Sequence, residues 1–194
     1  QSIGSRHIGV FREAFPETPW IFLYREPVQV MMSLLQVPKK HLAYCLREKA
    51  SPGPIERAIL KRHQVEMRNI TDQEYCAVHL ASITETAVNQ LKQNHSHGVA
   101  VNYEGLVDNL MDHILPDHFE VAMGNEERRR IKEVSGVYSK GRGDANREWE
   151  EDSEKKEEMA TDDIREASST FLRSSYQELE QYVRASQLVQ KKVF

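Results

Sequence analysis

The stretch Trp20-Ile21-Phe22-Leu23-Tyr24-Arg25-Glu26-Pro27-Val28-Gln29-Val30-Met31-Met32-Ser33 decides how the chain is read. It opens as an apolar run of aromatic and branched residues, the composition of a buried strand. It turns polar at Arg25 and Glu26 and then reaches Pro27. Proline suits the first turn of a helix, where its missing N–H is not needed. Val28, Met31 and Met32 follow at helical spacing. The stretch therefore predicts strand, tight turn and helix, with an arginine leaving the strand and Ser33 eight residues later on the helix. The carboxyl edge of an open α/β sheet and the amino end of a helix are both places where anions bind.

Working outward, Ile8, Val10, Phe11, Ala14 and Phe15 mark an amphipathic helix over residues 5–15, ended by Pro16 and Pro19. After Ser33 the helix runs to about Gln36, ahead of Pro38. Residues 39–49 carry a second short helical pattern with Leu42, Cys45 and Leu46 on one face. Ser51-Pro52-Gly53-Pro54 is a breaker, and residues 55–68 read as a basic helix. Asp72 is placed as the N-cap of a longer helix over 72–93, with Cys76, Leu80, Ile83, Ala87 and Leu91 on its apolar face. Val99 to Tyr103 form a second short strand. Glu104 to Ile114 are helical, closed by Pro116-Asp117-His118-Phe119. Residues 125–135 form a capped helix, and 137–158 read as an exposed, charged loop. Thr161-Asp162-Asp163 caps a last helix whose apolar face is Ile164, Ala167, Phe171, Leu172, Leu179 and Val183.

Strands alternating with long helical stretches predict an α/β fold, a parallel sheet flanked by helices in three layers. Only two strands are evident, and two parallel strands are too few to stand alone. The missing strands are therefore expected ahead of Gln1, with residues 1–194 forming one domain that is incomplete at its amino end. The chain is 39% hydrophobic and 29% charged, a globular balance, and no apolar run approaches the roughly 20 residues of a membrane span. The net charge of −4 argues against a general nucleic-acid binder. Cys45 and Cys76 are too few for a disulfide scaffold and lack metal-ligand spacing, so a soluble protein of a reduced, cytoplasmic compartment is the default.

An arginine at a strand's end and a hydroxyl on the next helix can grip one phosphate: the guanidinium is a permanent two-pronged donor, and the serine adds a short hydrogen bond. At these residues the chain resembles sulfotransferases that use 3′-phosphoadenosine 5′-phosphosulfate (PAPS). Their 3′-phosphate-binding strand ends in Arg-Asn/Asp-Pro, and a serine follows at the spacing kept by Arg25 and Ser33; Glu26 replaces the usual Asn or Asp. Phe15-Pro16 is similar to the family's Phe-Pro ahead of that strand. Val99-Ala100-Val101-Asn102-Tyr103-Glu104-Gly105-Leu106 resembles the family's later strand ending in Tyr-Glu-Asp-Leu, with Gly105 in place of Asp. Ser139-Lys140-Gly141-Arg142-Gly143-Asp144, with Trp149 beyond, is similar to the loop that wraps the 3′-phosphate, although shortened by a residue. The resemblance spans residues 8–180 and implies a P-loop-type fold. It also implies PAPS or adenosine 3′,5′-bisphosphate as the nucleotide, without a metal, held by Arg25, Ser33, Lys140, Gly141 and Arg142 through cations and backbone N–H groups.

The family's phosphosulfate-binding loop, a glycine-containing turn with a lysine opening a helix, has no counterpart here. The resemblance places it before Gln1. The general base that sulfuryl transfer requires is not assigned among the eight histidines; only His7 precedes the arginine strand. The implied activity is sulfuryl transfer to a hydroxyl or amine of a small molecule or glycan. Two rivals stand beside it. One is a non-catalytic, sulfotransferase-like subunit with a protein partner or a second copy of itself. The other is a small-molecule kinase of P-loop type. Arg25 in an ion pair with Glu26 or Glu104, Tyr103 packed at its strand end, and Glu104 capping the next helix are the structural alternatives for the same residues.

Overall fold

The computed structural model describes residues 7–36, 42–93, 97–135 and 153–190. A short helix α1 (Ile8–Ala14) leads to strand β1 (Trp20–Tyr24) and helix α2 (Pro27–Leu35), with Pro27 in the first turn as the sequence predicts. Helices α3 (Pro54–Arg62) and α4 (Asp72–Leu91) follow, and then strand β2 (Gly98–Asn102). Next come α5 (Leu106–Asn109), a wider helical stretch over Leu110–His118, and α6 (Asn125–Ser135). The last elements are α7 (Ser153–Met159), α8 (Asp162–Ala167), a wide turn over Ser168–Leu172, and α9 (Arg173–Gln190).

The three-layer parallel sheet expected from the sequence is not what the chain builds. Among the described residues it is 68% helical, and its sheet is the parallel pair β1–β2. The register runs from Trp20 opposite Gly98 to Tyr24 opposite Asn102. The reason lies in the composition: only these two stretches carry short runs of strand-forming residues, and the intervening amphipathic helices bury their faces on one another. They gather around α4. That helix begins with a capping box in which Thr71, not Asp72, is the cap: the Glu74 N–H donates to Thr71 Oγ1 at 3.2 Å and the Thr71 N–H donates to the Glu74 carboxylate at 2.7 Å. Two orphan donors are satisfied at once, which fixes where the helix starts.

Helix α4 is buried almost all round its first half. Tyr75, Cys76, Ala77, Val78 and Ala81 join Met31, Met32, Ile59, Leu60, Phe171 and Leu172 in the main core. Of the face assigned from sequence, Leu80 and Ile83 do not lie in the fully buried set; they wall a cavity instead. The second half of α4 supports the sheet through Val88 and Leu91, which pack with Tyr24 and Leu179. The helical pattern placed at 39–49 is reduced to one tight turn, Tyr44–Leu46, among the described residues. That turn is stapled to α4, because Cys45 and Cys76 form a disulfide with Cα atoms 5.0 Å apart. The two cysteines set aside as too few for a disulfide scaffold are thus joined in one bridge.

Other boundaries shift for local reasons. The charged loop placed at 137–158 is helical in its final part, where α7 occupies Ser153–Met159; residues 137–152 lie outside those described. The helical stretch expected to close over Pro116–Phe119 ends at His118, widened so that the Phe119 N–H reaches Ile114 O, five residues back. No described helix is long and apolar enough to cross a membrane.

Candidate functional site

Strand β1 delivers Arg25 to the carboxyl edge of the sheet, and α2 starts two residues on. Between them Glu26 caps α2, accepting from the Gln29 N–H at 3.0 Å. It is not the ion-pair partner that sequence proximity suggests. Burial pushes the Glu26 carboxyl above its usual range, and the Gln29 N–H works against that rise.

Among the described residues, three elements contact the Arg25 guanidinium. Its Nε donates to Gln29 Oε1 at 2.6 Å, and its Nη2 donates to Ser153 Oγ at 2.7 Å. Its carbon lies 5.1 Å from the centre of the Tyr103 ring, a cation–π distance. Tyr103 is thus more than a strand-end packing residue. It is presented by the turn after β2, and Gly105 follows with φ of 69°, a left-handed backbone that favours glycine. Gly105, not Glu104, occupies the cap position of α5; the Glu104 N–H is taken by Asn102 Oδ1 at 2.9 Å.

Ser33 lies one helical turn after Gln29, so the two share a face of α2. Arg25 precedes the helix and its Glu26 cap, and reaches that face through its side-chain bond to Gln29. Gln29 was legible in the sequence, midway between the two residues singled out. Ser153 was not, since 128 residues separate it from Arg25. Lys140, Gly141 and Arg142, and Trp149 with them, lie outside the described residues.

Beside Arg25 and Tyr103 is a cavity of about 240 Å³ walled by Phe22, Val30, Leu80, Ile83, Leu172 and Leu179, with Tyr24 and Tyr176 also on its wall. Its apolar walls lower the local dielectric, which strengthens the field of any charge facing it. The two phenols stay protonated far above neutrality. Burial, then the hydrogen bond and charge of Glu180, raise Tyr24 well beyond its ordinary value. Tyr176 is pushed up to about 12 by burial and by the charges of Glu180, Glu26 and Glu104. The edge thus combines one arginine, a stripe of neutral polar groups and a flanking set of carboxylates. Several of these are committed elsewhere: Glu26 to the α2 cap, and Glu157 to Arg165 at 2.8 Å.

Among the described residues, no histidine lines this cavity. His63 packs on Phe171 with ring centres 4.9 Å apart, and His79 is buried beside Glu56. His118 bonds to the Trp20 carbonyl at 3.1 Å, tying the stretch after α5 to the start of β1. No group of three or more His, Cys, Asp or Glu side chains among the described residues is placed to hold a metal ion. What the edge can do chemically is hold an anionic group against Arg25 beside a largely apolar, aromatic wall. No family model, no curated protein and no solved structure matches the chain.

Proposed function

We propose that Arg25 and Ser33 hold the 3′-phosphate of an adenosine 3′,5′-bisphosphate nucleotide, and that the chain serves sulfuryl transfer from PAPS to a hydroxyl or amine acceptor. The observation that carries this reading is the Arg25 guanidinium at the end of β1, held by Gln29, Ser153 and Tyr103, with Ser33 one turn beyond Gln29 on α2. A preset guanidinium loses less freedom on binding an anion, and fixed positioning of a donor nucleotide lowers the barrier to transfer. PAPS supplies the sulfuryl group, which passes to the acceptor's oxygen or nitrogen while adenosine 3′,5′-bisphosphate leaves. The chain's own part in that step is to anchor the nucleotide. The residues present suit a phosphate at Arg25, while Lys140, Gly141 and Arg142 enter only through the sequence resemblance.

The test is calorimetric titration of the full-length protein with adenosine 3′,5′-bisphosphate. Arg25→Ala should weaken binding roughly 10–100-fold, the weight of charge-assisted hydrogen bonds to a phosphate. Equal binding by wild type and variant removes the nucleotide from Arg25.

A second reading, a non-catalytic subunit of a larger assembly, draws on the carboxylates. Glu26, Glu104 and Glu180 all bear on Tyr176, so this edge carries negative charge that opposes a dianion. Nucleotide binding by the wild type, followed by transfer of sulfate label to an acceptor, separates the enzyme from the subunit.

A further inference from the structure

Arginine has five N–H donors and no acceptor. Whatever bonds to Arg25 must therefore offer it an oxygen lone pair. Gln29 turns its Oε1 to Nε at 2.6 Å, and Ser153 turns its Oγ to Nη2 at 2.7 Å. The orientation of the Gln29 amide is thereby settled: the oxygen faces the guanidinium and the NH2 faces away. Ser153, with its oxygen accepting, keeps its own O–H proton to give. Ser33, one helical turn beyond Gln29, brings a second hydroxyl to the same face of α2. Gln29, Ser33 and Ser153 are all partly buried, so their donors are less hydrated than those of an open surface.

We infer that Gln29 and Ser153 are phosphate-binding residues, donating from the Gln29 amide NH2 and the Ser153 hydroxyl to the same anionic group that Arg25 and Ser33 hold. This rests on the reading that Arg25 binds a nucleotide's 3′-phosphate. The arginine supplies the charge and, by claiming only acceptor atoms, turns its two neighbours into a surface of donors. A phosphate, which only accepts, matches such a surface. The arrangement also explains how binding proceeds beside the carboxylates of Glu26, Glu104 and Glu180: the anion is met by several short hydrogen bonds and not by one cation alone. Ser153 reaches the site from the start of α7, which packs on α2, so the clamp closes from a part of the chain remote in sequence.

The experiment compares two nucleotides on the full-length protein, adenosine 3′,5′-bisphosphate and adenosine 5′-monophosphate, which lacks the 3′-phosphate. Ser153→Ala and Gln29→Leu should each raise the Kd for the bisphosphate about ten-fold, the usual weight of one hydrogen bond to a charged group. Each should leave the Kd for the monophosphate unchanged, and Ser153→Thr should restore bisphosphate binding. Variants that bind the bisphosphate as wild type does overturn the inference and leave the parent reading standing. Variants that weaken both nucleotides equally also overturn it, because that pattern belongs to a residue that only supports the fold. A wild-type protein that binds no bisphosphate defeats the parent reading and this one with it.

Discussion

Around the first half of α4, Tyr75, Cys76, Ala77, Val78 and Ala81 are all fully buried, whereas in the sheet only Tyr24 and Val101 are buried, and Leu23 is 44% exposed. The two regions share one helix yet are held by different means. The first is apolar packing closed by a disulfide. The second is a two-stranded ladder, one small cluster against Leu179, and polar contacts at its carboxyl edge. The contrast shows where rigidity and adaptability have been placed. The tightly packed half fixes α4, and α4 in turn presents Val88 and Leu91 to the strands that carry Arg25 and Tyr103. The proposed anion site therefore lies on the less tightly packed half, away from the main core.

The largest effect that probes this contrast is loss of the bridge. Cys45 and Cys76 are wholly buried and separated by 31 residues in sequence. Replacing both by alanine should cost about 3 kcal/mol, since the unfolded chain regains the freedom of that loop. Thermal unfolding of the double variant measures it. An unchanged melting temperature means that packing alone holds the first region, and the contrast in means disappears.

A smaller effect is expected in the sheet. A Cβ added at Gly98 would lie 2.3 Å from the Trp20 ring across the ladder. Gly98→Ala should therefore displace the indole and cost about 1–2 kcal/mol, overpacking being partly offset by the reduced freedom of the unfolded chain. Adding Trp20→Phe to that variant should recover part of the loss, because the two changes share one contact. Strictly additive losses would show that the ladder does not depend on this pair, and that the sheet takes its support from α4 and α9.

The sequence made the local geometry of this edge legible and its surroundings opaque. The strand at Trp20 and the one read at Val99–Tyr103, which the structure places at Gly98–Asn102, stand out because their apolar, branched composition is local, and Pro27 announces α2 for the same reason. What failed was anything that depends on distant partners. The three-layer sheet was inferred from alternation, but alternation does not say whether helices cover a sheet or one another. The Cys45–Cys76 bridge needs a tight turn to meet a helix far along the chain, and no spacing rule signals that. Gln29 could have been read from its place one helical turn before Ser33 and four residues after Arg25. Ser153 could not, because its place beside Arg25 is set by how α7 packs on α2.

The smallest expected effect tests the electrostatics of the edge. The folded protein holds the Tyr176 proton up to about pH 12, against 10.0 for an ordinary tyrosine, because burial and the charges of Glu180, Glu26 and Glu104 disfavour the phenolate. The folded pKa is raised, so this contribution is fully present below pH 10 and is lost as pH climbs from 10 through 12. Tyr176 is only partly buried, and solvent screening reduces the contribution to about 1 kcal/mol. The wild type should therefore lose stability faster on that alkaline limb than Tyr176→Phe, which cannot ionise there. Tyr24 is shifted in the same direction and leaves a residual slope in the variant. Superimposable limbs would mean that the three carboxylates do not set the potential beside the cavity. The charge that opposes a dianion at Arg25 would then be removed, and with it the observation that favours a non-catalytic subunit over an enzyme.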